Sequence, residues 1–426
     1  MPESLQIALK NDSDLPNLHA YITGIALQHN GQRCLLKSDG QSLYFPQNPP
    51  AIGSPLTEDC AIPLGAPGTT TNVTIPQIAG GRIWFAEGEL TFLLNPGDQP
   101  ALVEPSVLNA SDPNAGVNFG FAEFTLNADQ LYANISYVDF TPRLPVALTL
   151  QQGSGDTQHV AGMPPDGLEN LAAGLREQSG KDGRPWAQLV VEREGKVLRC
   201  LNATHGDAVG AGFSGYYEGF IEEVWRKYGS DGVCMKIDTQ AGPGVLEGRV
   251  VNGELRVGDE RFGKPNSADV FGCNTRPFTT GPSATRNAII PRLAAAFHRS
   301  TLLAIETHPS EPSTFYPTDP TNHYARLVHA CNVDRKGYAF AYDDVQPDGG
   351  EDQSGKVNAG DPVLLTVTVG GKSAGAGAPP PSSSSQQPQS YDRGPPPPPP
   401  DLEQQPMQDD GGLKGKLRGF AGKMFK

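Results

Sequence analysis

The sequence has no run of about 18 apolar residues, so nothing in it reads as a membrane-spanning helix. Its N-terminus, MPESLQIALKNDSDLP, lacks a basic stretch and a continuous apolar core, and is not read as a secretory signal. Positive charge is scarce: 33 Lys and Arg face 47 Asp and Glu, for a net charge of −14. That balance argues against nucleic acid as a main partner, because phosphate backbones are held by basic surface. A neutral polymer meets no such objection. The six cysteines (Cys34, Cys60, Cys200, Cys234, Cys273, Cys331) contain no CxxC pair. Metal-ligand spacing is therefore missing, and buried free thiols stand beside disulfides that spacing alone cannot assign. There is no P-loop, no GxSxG elbow and no HExxH, and the eight histidines show no ligand-like spacing. No cofactor and no metal is expected. Gly210, Gly212 and Gly215 do spell GxGxxG, but the upstream LNATHGDAV is polar and loop-like rather than a buried strand, so a glycine loop entering a helix is the simpler reading.

Glycine and proline, by contrast, are plentiful, at 50 and 40 of 426 residues. They divide the chain. From Leu5 to about Leu150 short strand-like pieces, such as LHAYITGIAL, RIWFAEGELTFLL, GFAEFTLN and LYANISYVDF, alternate with turns, a texture typical of a sandwich or barrel. Between about 160 and 335 the pattern is mixed. Tyr217, Phe220, Ile221, Val224, Trp225 and Tyr228 recur at helical spacing, NAIIPRLAAAFHRS reads as a second helix with Pro291 near its first turn, and TNHYARLVHA as a third. AQLVVERE, GVCMKID and VLEGRVV read as strands between them, and GYAFAYDDV and DPVLLTVTV as later strands that return to the first lobe. His323 and His329 fall on different faces of the third helix and read as structural or surface residues.

The end of the chain is different again. Residues 372–426 are rich in Pro, Ser and Gln, with six consecutive prolines from Pro395 to Pro400, and are expected to be disordered or polyproline II. Such a stretch suits an SH3- or WW-type partner. The last fourteen residues, LKGKLRGFAGKMFK, carry five positive charges and place Leu413, Leu417, Phe420 and Met424 on one helical face, a pattern compatible with a membrane surface. A solvated tail fits the same residues, and three glycines there weaken a helix by about 1 kcal/mol each.

One segment concentrates placed polar groups: GFAEFTLNADQLYANISYVDF, residues 120–140. Glu123, Thr125 and Asn127 alternate with Phe124 and Leu126, so one face is polar while the other packs inward. A carboxylate flanked by a hydroxyl and an amide suits sugar hydroxyls. Asp139 is less tidy. By strand parity it falls with Ile135 and Tyr137 on an apolar face, unless the strand end before Thr141-Pro142 re-aims it. Glycoside hydrolysis commonly uses two carboxyl groups, one to protonate the leaving oxygen and one to serve the opposite face of the ring. On residues alone, the same two carboxylates could equally satisfy loop backbone or arginine partners.

GRIWF (81–85), LVEPSVLNASDPN (102–114), AEFTLN (122–127), LYANISYVDF (131–140), TNHYARLVHA (321–330) and YAFAYDD (338–344) occur in that order. The set resembles glycoside hydrolase family 64, within the thaumatin-like or osmotin-like superfamily, over about residues 5–370. The resemblance implies a mainly β fold with an α/β insertion: a thaumatin-like sandwich or barrel lobe (about 1–155 plus 335–371) and a mixed α/β lobe (about 156–334) flanking a wide cleft, within a catalytic region 1–371. It implies an inverting endo-β-1,3-glucanase that releases short laminari-oligosaccharides, with Glu123 as general acid and Asp139 as general base. Thr125, Asn127, Tyr132 and Asn134 would meet the sugar, and the partner would be a β-1,3-glucan bound by a monomer. The alternative is a thaumatin-like protein that binds glucan without cutting it. Three departures stand out. Tyr132 replaces a tryptophan of bacterial members, Asn134 stands where plant thaumatins have Asp, and those plant proteins carry far more cysteine. Family members are usually exported, whereas this N-terminus shows no signal, which leaves the location open.

Overall fold

The computed structural model describes residues 2–372 other than Ala241, together with Ala374. The expectations for the proline-rich and basic tail lie outside the described residues. Two β-sheets dominate. The larger runs Lys356–Ala359, Leu131–Ile135, Phe119–Leu126, Ile78–Glu87, Leu18–Ala26, Gln32–Leu36 and Leu43–Tyr44, with Ile62–Pro63 pairing beside Leu18–Ala26. The second runs Thr157–Val160, Val146–Gln152, Pro362–Val369, Ser4–Asn11 and Thr70–Pro76, and its only parallel pair joins Ser4–Asn11 to Pro362–Val369. Segments separated by some 350 residues thus meet as neighbouring strands. Alternation explains these strands. In Pro362–Val369 the residues Leu365, Val367 and Val369 are fully buried and the intervening ones are not. The core beneath is continuous, with Trp84, Phe85, Phe92 and Phe119 almost completely enclosed; each such side chain contributes about 1.5–3 kcal/mol by leaving water.

Five α-helices follow among the described residues: α1 (Gly167–Asp182), α2 (Glu218–Tyr228), α3 (Ser267–Gly272), α4 (Ala284–His298) and α5 (His323–Cys331). A five-stranded sheet, Glu260–Phe262, Glu254–Val257, Val245–Val251, Met235–Asp238 and Thr307–His308, lies among them. In α2 the apolar residues at helical spacing are the buried ones: Phe220, Ile221, Val224, Trp225 and Tyr228. The expected second and third helices form as α4 and α5, capped by Ser283 and Asn322, whose side chains accept from the Arg286 and Ala325 amides. One expectation is corrected. Pro291 is inside α4 rather than in its first turn, because the helix begins at Ala284, so the Asn287 carbonyl loses its usual i+4 donor. A second correction concerns GYAFAYDDV, which forms turns and one isolated bridge, Ser136 to Tyr338, rather than a strand. Its alternating aromatics mimicked a period of two. Instead the Asp343 carboxylate accepts the Ala339 amide at 3.0 Å and folds the segment back on itself.

The GxGxxG stretch follows a 3-10 helix, Ala203–Val209, and leads to α2 with Gly210 and Gly215 at positive φ, so no strand opens a dinucleotide unit there. All six cysteines are free, four of them buried. No helix among the described residues is long and apolar enough to cross a membrane.

Candidate active site

Register across the larger sheet sets the site. Thr23 pairs with Arg82, Arg82 with Glu123, Glu123 with Asn134, and Asn134 with Lys356. Directly paired residues point to the same face, so five polar side chains form one row across five strands. The adjacent row holds Thr125, Tyr132 and Asn358. On the other side of the polar row lie Tyr21, Trp84 and Phe121. The alternation read in the sequence is the one observed: Glu123 and Thr125 are half-buried while Phe124 and Leu126 are sealed.

Arg82 organises the row. Its guanidinium lies over the Phe121 ring at 4.7 Å and the Trp84 ring at 5.4 Å. Its Nη1 meets Glu104 Oε2 at 2.9 Å, and its Nε lies 3.5 Å from Glu123 Oε1. Glu104 Oε1 accepts the Thr23 hydroxyl at 2.6 Å, and Thr23 in turn accepts the Trp84 indole N–H at 3.1 Å. Burial alone would lower the Arg82 pKa, but Glu104, Glu123 and Asp139 together raise it. One cation therefore senses all three carboxylates, Asp139 among them.

The strand before Asp139 stops early. The strand ends at Ile135, and residues 138–139 form a bend before Phe140–Pro142 pairs with Lys196–Leu201. Parity therefore does not apply to Asp139, and the apolar aim it suggested is not what the structure has. Several contacts pin the bend. Phe140 packs edge-on against Phe119 at 5.4 Å and Phe121 at 6.0 Å. The Asp139 carbonyl accepts the Asn202 amide, and the Tyr324 hydroxyl donates to the Tyr137 carbonyl while bonding Thr141. The carboxylate remains 29% exposed, and its Oδ1 is 3.0 Å from His205 Nε2. Burial alone would raise its pKa, yet the hydrogen bond and charge of His205, with Arg82 behind, hold it below the usual carboxylate value.

The other expected site residues vary. Thr125 Oγ1 accepts the Gly80 amide at 3.3 Å. Asn127 closes the turn to the next strand, its Oδ1 accepting the Asp129 and Gln130 amides at 2.9 Å each. Tyr132 lies under Lys356 Nζ at 5.9 Å, and burial followed by Asp344, Asp352 and Glu123 pushes its hydroxyl pKa up. Asn134 is buried and donates to the Ile135 carbonyl. The sequence reading overlooked Arg82, Glu104 and His205 as members of this site. Arg82 and Glu104 lie within the quoted motifs GRIWF and LVEPSVLNASDPN, which was their only signal; His205 sat in a polar stretch dismissed as loop.

A second cluster has the residue types of a thiol nucleophile but not their chemistry. Cys273 Sγ is 3.1 Å from His298 Nε2, and Asn322 Nδ2 is 2.8 Å from His298 Nδ1. All three are sealed, and burial pushes the thiol up and the imidazole down to about 4, so neither is charged in the way a nucleophile pair needs.

A family model described as β-1,3-glucanase, that of glycoside hydrolase family 64, matches residues 3–369. The chain belongs to glycoside hydrolase family 64. Among curated relatives, a glucan endo-1,3-β-glucosidase of Arthrobacter sp. (strain YCWD3) is 29% identical over 359 residues, 81% of this chain and 62% of that protein. One from Cellulosimicrobium cellulans is 29% identical with the same coverage. This chain thus spans about 62% of the length of the curated relatives it matches. Among solved structures, a laminaripentaose-producing β-1,3-glucanase in complex with laminaritetraose shares 32% identity and a TM-score of 0.76, covering 87% of this chain and 99% of that one. A family 64 β-1,3-glucanase domain from Clostridium beijerinckii, at 20% identity and a TM-score of 0.68, shares the fold.

Proposed function

We propose that the protein is an inverting endo-β-1,3-glucanase that cuts β-1,3-glucan into short laminari-oligosaccharides, with Glu123 as general acid and Asp139 as general base. The observation that carries this is the unequal setting of two carboxylates around Arg82: Glu123 on the strand row and Asp139 on the bend, the latter held ionised. An ionised Asp139 can take a proton from water, and Glu123 then serves the leaving oxygen. The likeness to glucan endo-1,3-β-glucosidases and to an enzyme solved with laminaritetraose supports the substrate class. Thr125, the Nδ2 of Asn127, Tyr132 and Asn134 are proposed as sugar contacts. The division into a thaumatin-like β lobe (about 1–155 plus 335–371) and an α/β lobe (about 156–334), with the cleft between them, belongs to the same proposal.

Digestion of laminarin or curdlan tests it. The wild type is expected to release oligosaccharides whose first-formed reducing ends are α, while Glu123→Gln and Asp139→Asn each lose a hundredfold or more, about the range that general acid–base groups contribute. A protein that binds glucan and releases nothing would support the non-catalytic reading instead, and an initial β anomer would exclude inversion.

A further inference from the structure

His205 touches the carboxylate proposed as the base, yet no sequence motif pointed to it. It stands on the 3-10 helix Ala203–Val209, far in sequence from Asp139. Asn202 caps that turn: its side chain accepts the Thr204 amide and donates to the Ala339 carbonyl, while its backbone N–H donates to the Asp139 carbonyl at 3.0 Å. The Thr204 hydroxyl donates to the Phe271 carbonyl at 2.8 Å. The turn carrying His205 is therefore fastened to the backbone of the residue whose side chain it contacts. The imidazole is only 11% exposed. An ionised carboxylate offers acceptors alone, so Nε2 must carry the hydrogen of the 3.0 Å contact. Among the described residues, Asp139 Oδ2 receives no hydrogen bond from the protein.

We propose that His205 is the positioning residue for Asp139: it holds Oδ1 and leaves Oδ2 as the oxygen that takes a proton from the attacking water. This rests on the reading of Asp139 as the base. In that step the water oxygen bonds to the anomeric carbon as the glycosidic C–O bond breaks. The water proton passes to Asp139 Oδ2, and the leaving oxygen keeps the bond's electron pair and takes the Glu123 proton. His205 Nε2–H transfers nothing; it fixes the carboxylate and favours its charged form until the proton arrives. Besides His205, the groups acting on Asp139 are Arg82 from the strand row and Tyr324 from α5, Glu123 shares Arg82 with it, and the exposed Asp207 lies on the same turn as His205.

His205→Ala and His205→Gln separate positioning from mere support, and Asp139→Asn checks the underlying reading. On laminarin, His205→Ala is expected to lower kcat by about tenfold to a hundredfold with little change in KM, as loss of an outer-sphere partner does elsewhere. The acidic limb of its kcat/KM profile should move to higher pH by about one unit, because Asp139 loses the group that favours its ionised form. His205→Gln, with an amide donor of similar reach, should recover most of kcat. Wild-type kcat and an unmoved limb in His205→Ala would overturn the proposal. So would a fall in activity that tracks lost thermal stability while the limb stays in place. If His205→Ala does not fold, His205→Gln decides: near wild-type kcat supports positioning, and a loss as deep as that of Asp139→Asn refutes it. An active Asp139→Asn would instead sink the base assignment itself, whatever the His205 variants do.

Discussion

Glu104 and Glu123 compete for one guanidinium. Arg82 gives its Nη1 to Glu104 at 2.9 Å, while its Nε stays at 3.5 Å from Glu123, and Glu104 is kept in place by the Thr23 hydroxyl. A general acid, the role proposed for Glu123, must carry its proton into the reaction, so a cation that is already neutralised by a neighbour is a tolerable companion for it. Replacing Glu104 by Gln leaves Arg82 with only Glu123 and Asp139 to neutralise it, which favours their charged forms. For Glu104→Gln the alkaline limb of the pH–rate profile should therefore move to lower pH. Each unit of that movement costs about tenfold in rate on that limb. Rates on laminarin across the pH range check this; an unmoved limb would mean that Glu104 only braces the strand. The residues of this network were poorly legible beforehand. Glu123 showed itself through alternation with Phe124 and Leu126, but Arg82, Glu104 and Thr23 are brought together by pairing between strands far apart in sequence, which no local pattern records.

At the scale of elements, the legible parts were those whose periodicity is set by burial on one side. The second half of Phe119–Leu126 and most of Pro362–Val369 alternate, and α2 buries five of the six apolar residues that helical spacing picked out, with the sixth, Tyr217, buried at its N-cap. Illegible parts were those where tertiary bonds override the local period. Asp139 could not be aimed by parity because the strand gives way at Ile135 to a bend held by Phe140, Asn202 and Tyr324. GYAFAYDDV looked like a strand because aromatics recur every second residue, yet Asp343 folds it into turns. The strand pair at the centre of the site also explains one glycine. Gly81 lies directly opposite Phe124, and a Cβ there would fall 2.4 Å from the ring. The ring is sealed in the core and cannot swing away, so the strand itself would have to shift, taking Arg82 with it. Gly81→Ala should destabilise the fold by about 1–3 kcal/mol, the usual cost of overpacking, and lower activity beyond that loss. Urea unfolding beside laminarin assays would show it, and adding Phe124→Leu should restore part of both. If Gly81→Ala matches the wild type in both measurements, the close approach of the two strands is not what fixes Arg82.

For the molecule as a whole, a buried charged cluster behind the YAFAYDD segment joins three parts of the chain. Arg299, just after α4, donates to both the carbonyl and the carboxylate of Asp343, at 2.9 and 3.1 Å, and to the Val345 carbonyl. His329 of α5 places Nε2 3.0 Å from the other carboxylate oxygen. Burial alone would raise the Asp343 pKa, but His329, Arg299 and the Ala339 amide hold it below the usual value. Burial would lower that of His329, and Asp343 reverses this and raises it. The signs then fix a window. A depressed carboxyl stabilises the fold above its unfolded pKa of about 3.9 and loses that contribution as pH falls through its folded value. A raised imidazole stabilises below about 6.5 and loses its contribution as pH rises through its folded value. The cluster should hold the fold most firmly between about pH 4 and 6.5. Asp343→Asn leaves Arg299 buried without its counter-charge, a change that typically costs about 3–5 kcal/mol. The difference in melting temperature between wild type and Asp343→Asn is therefore expected to be greatest near the middle of that window. It should narrow toward more acidic pH, where the wild-type carboxyl is itself protonated, and also above the folded His329 value, where the imidazole no longer carries charge. Thermal melts over that range decide the matter, since a difference that stays constant with pH would mean that Asp343 acts through shape and hydrogen bonds alone.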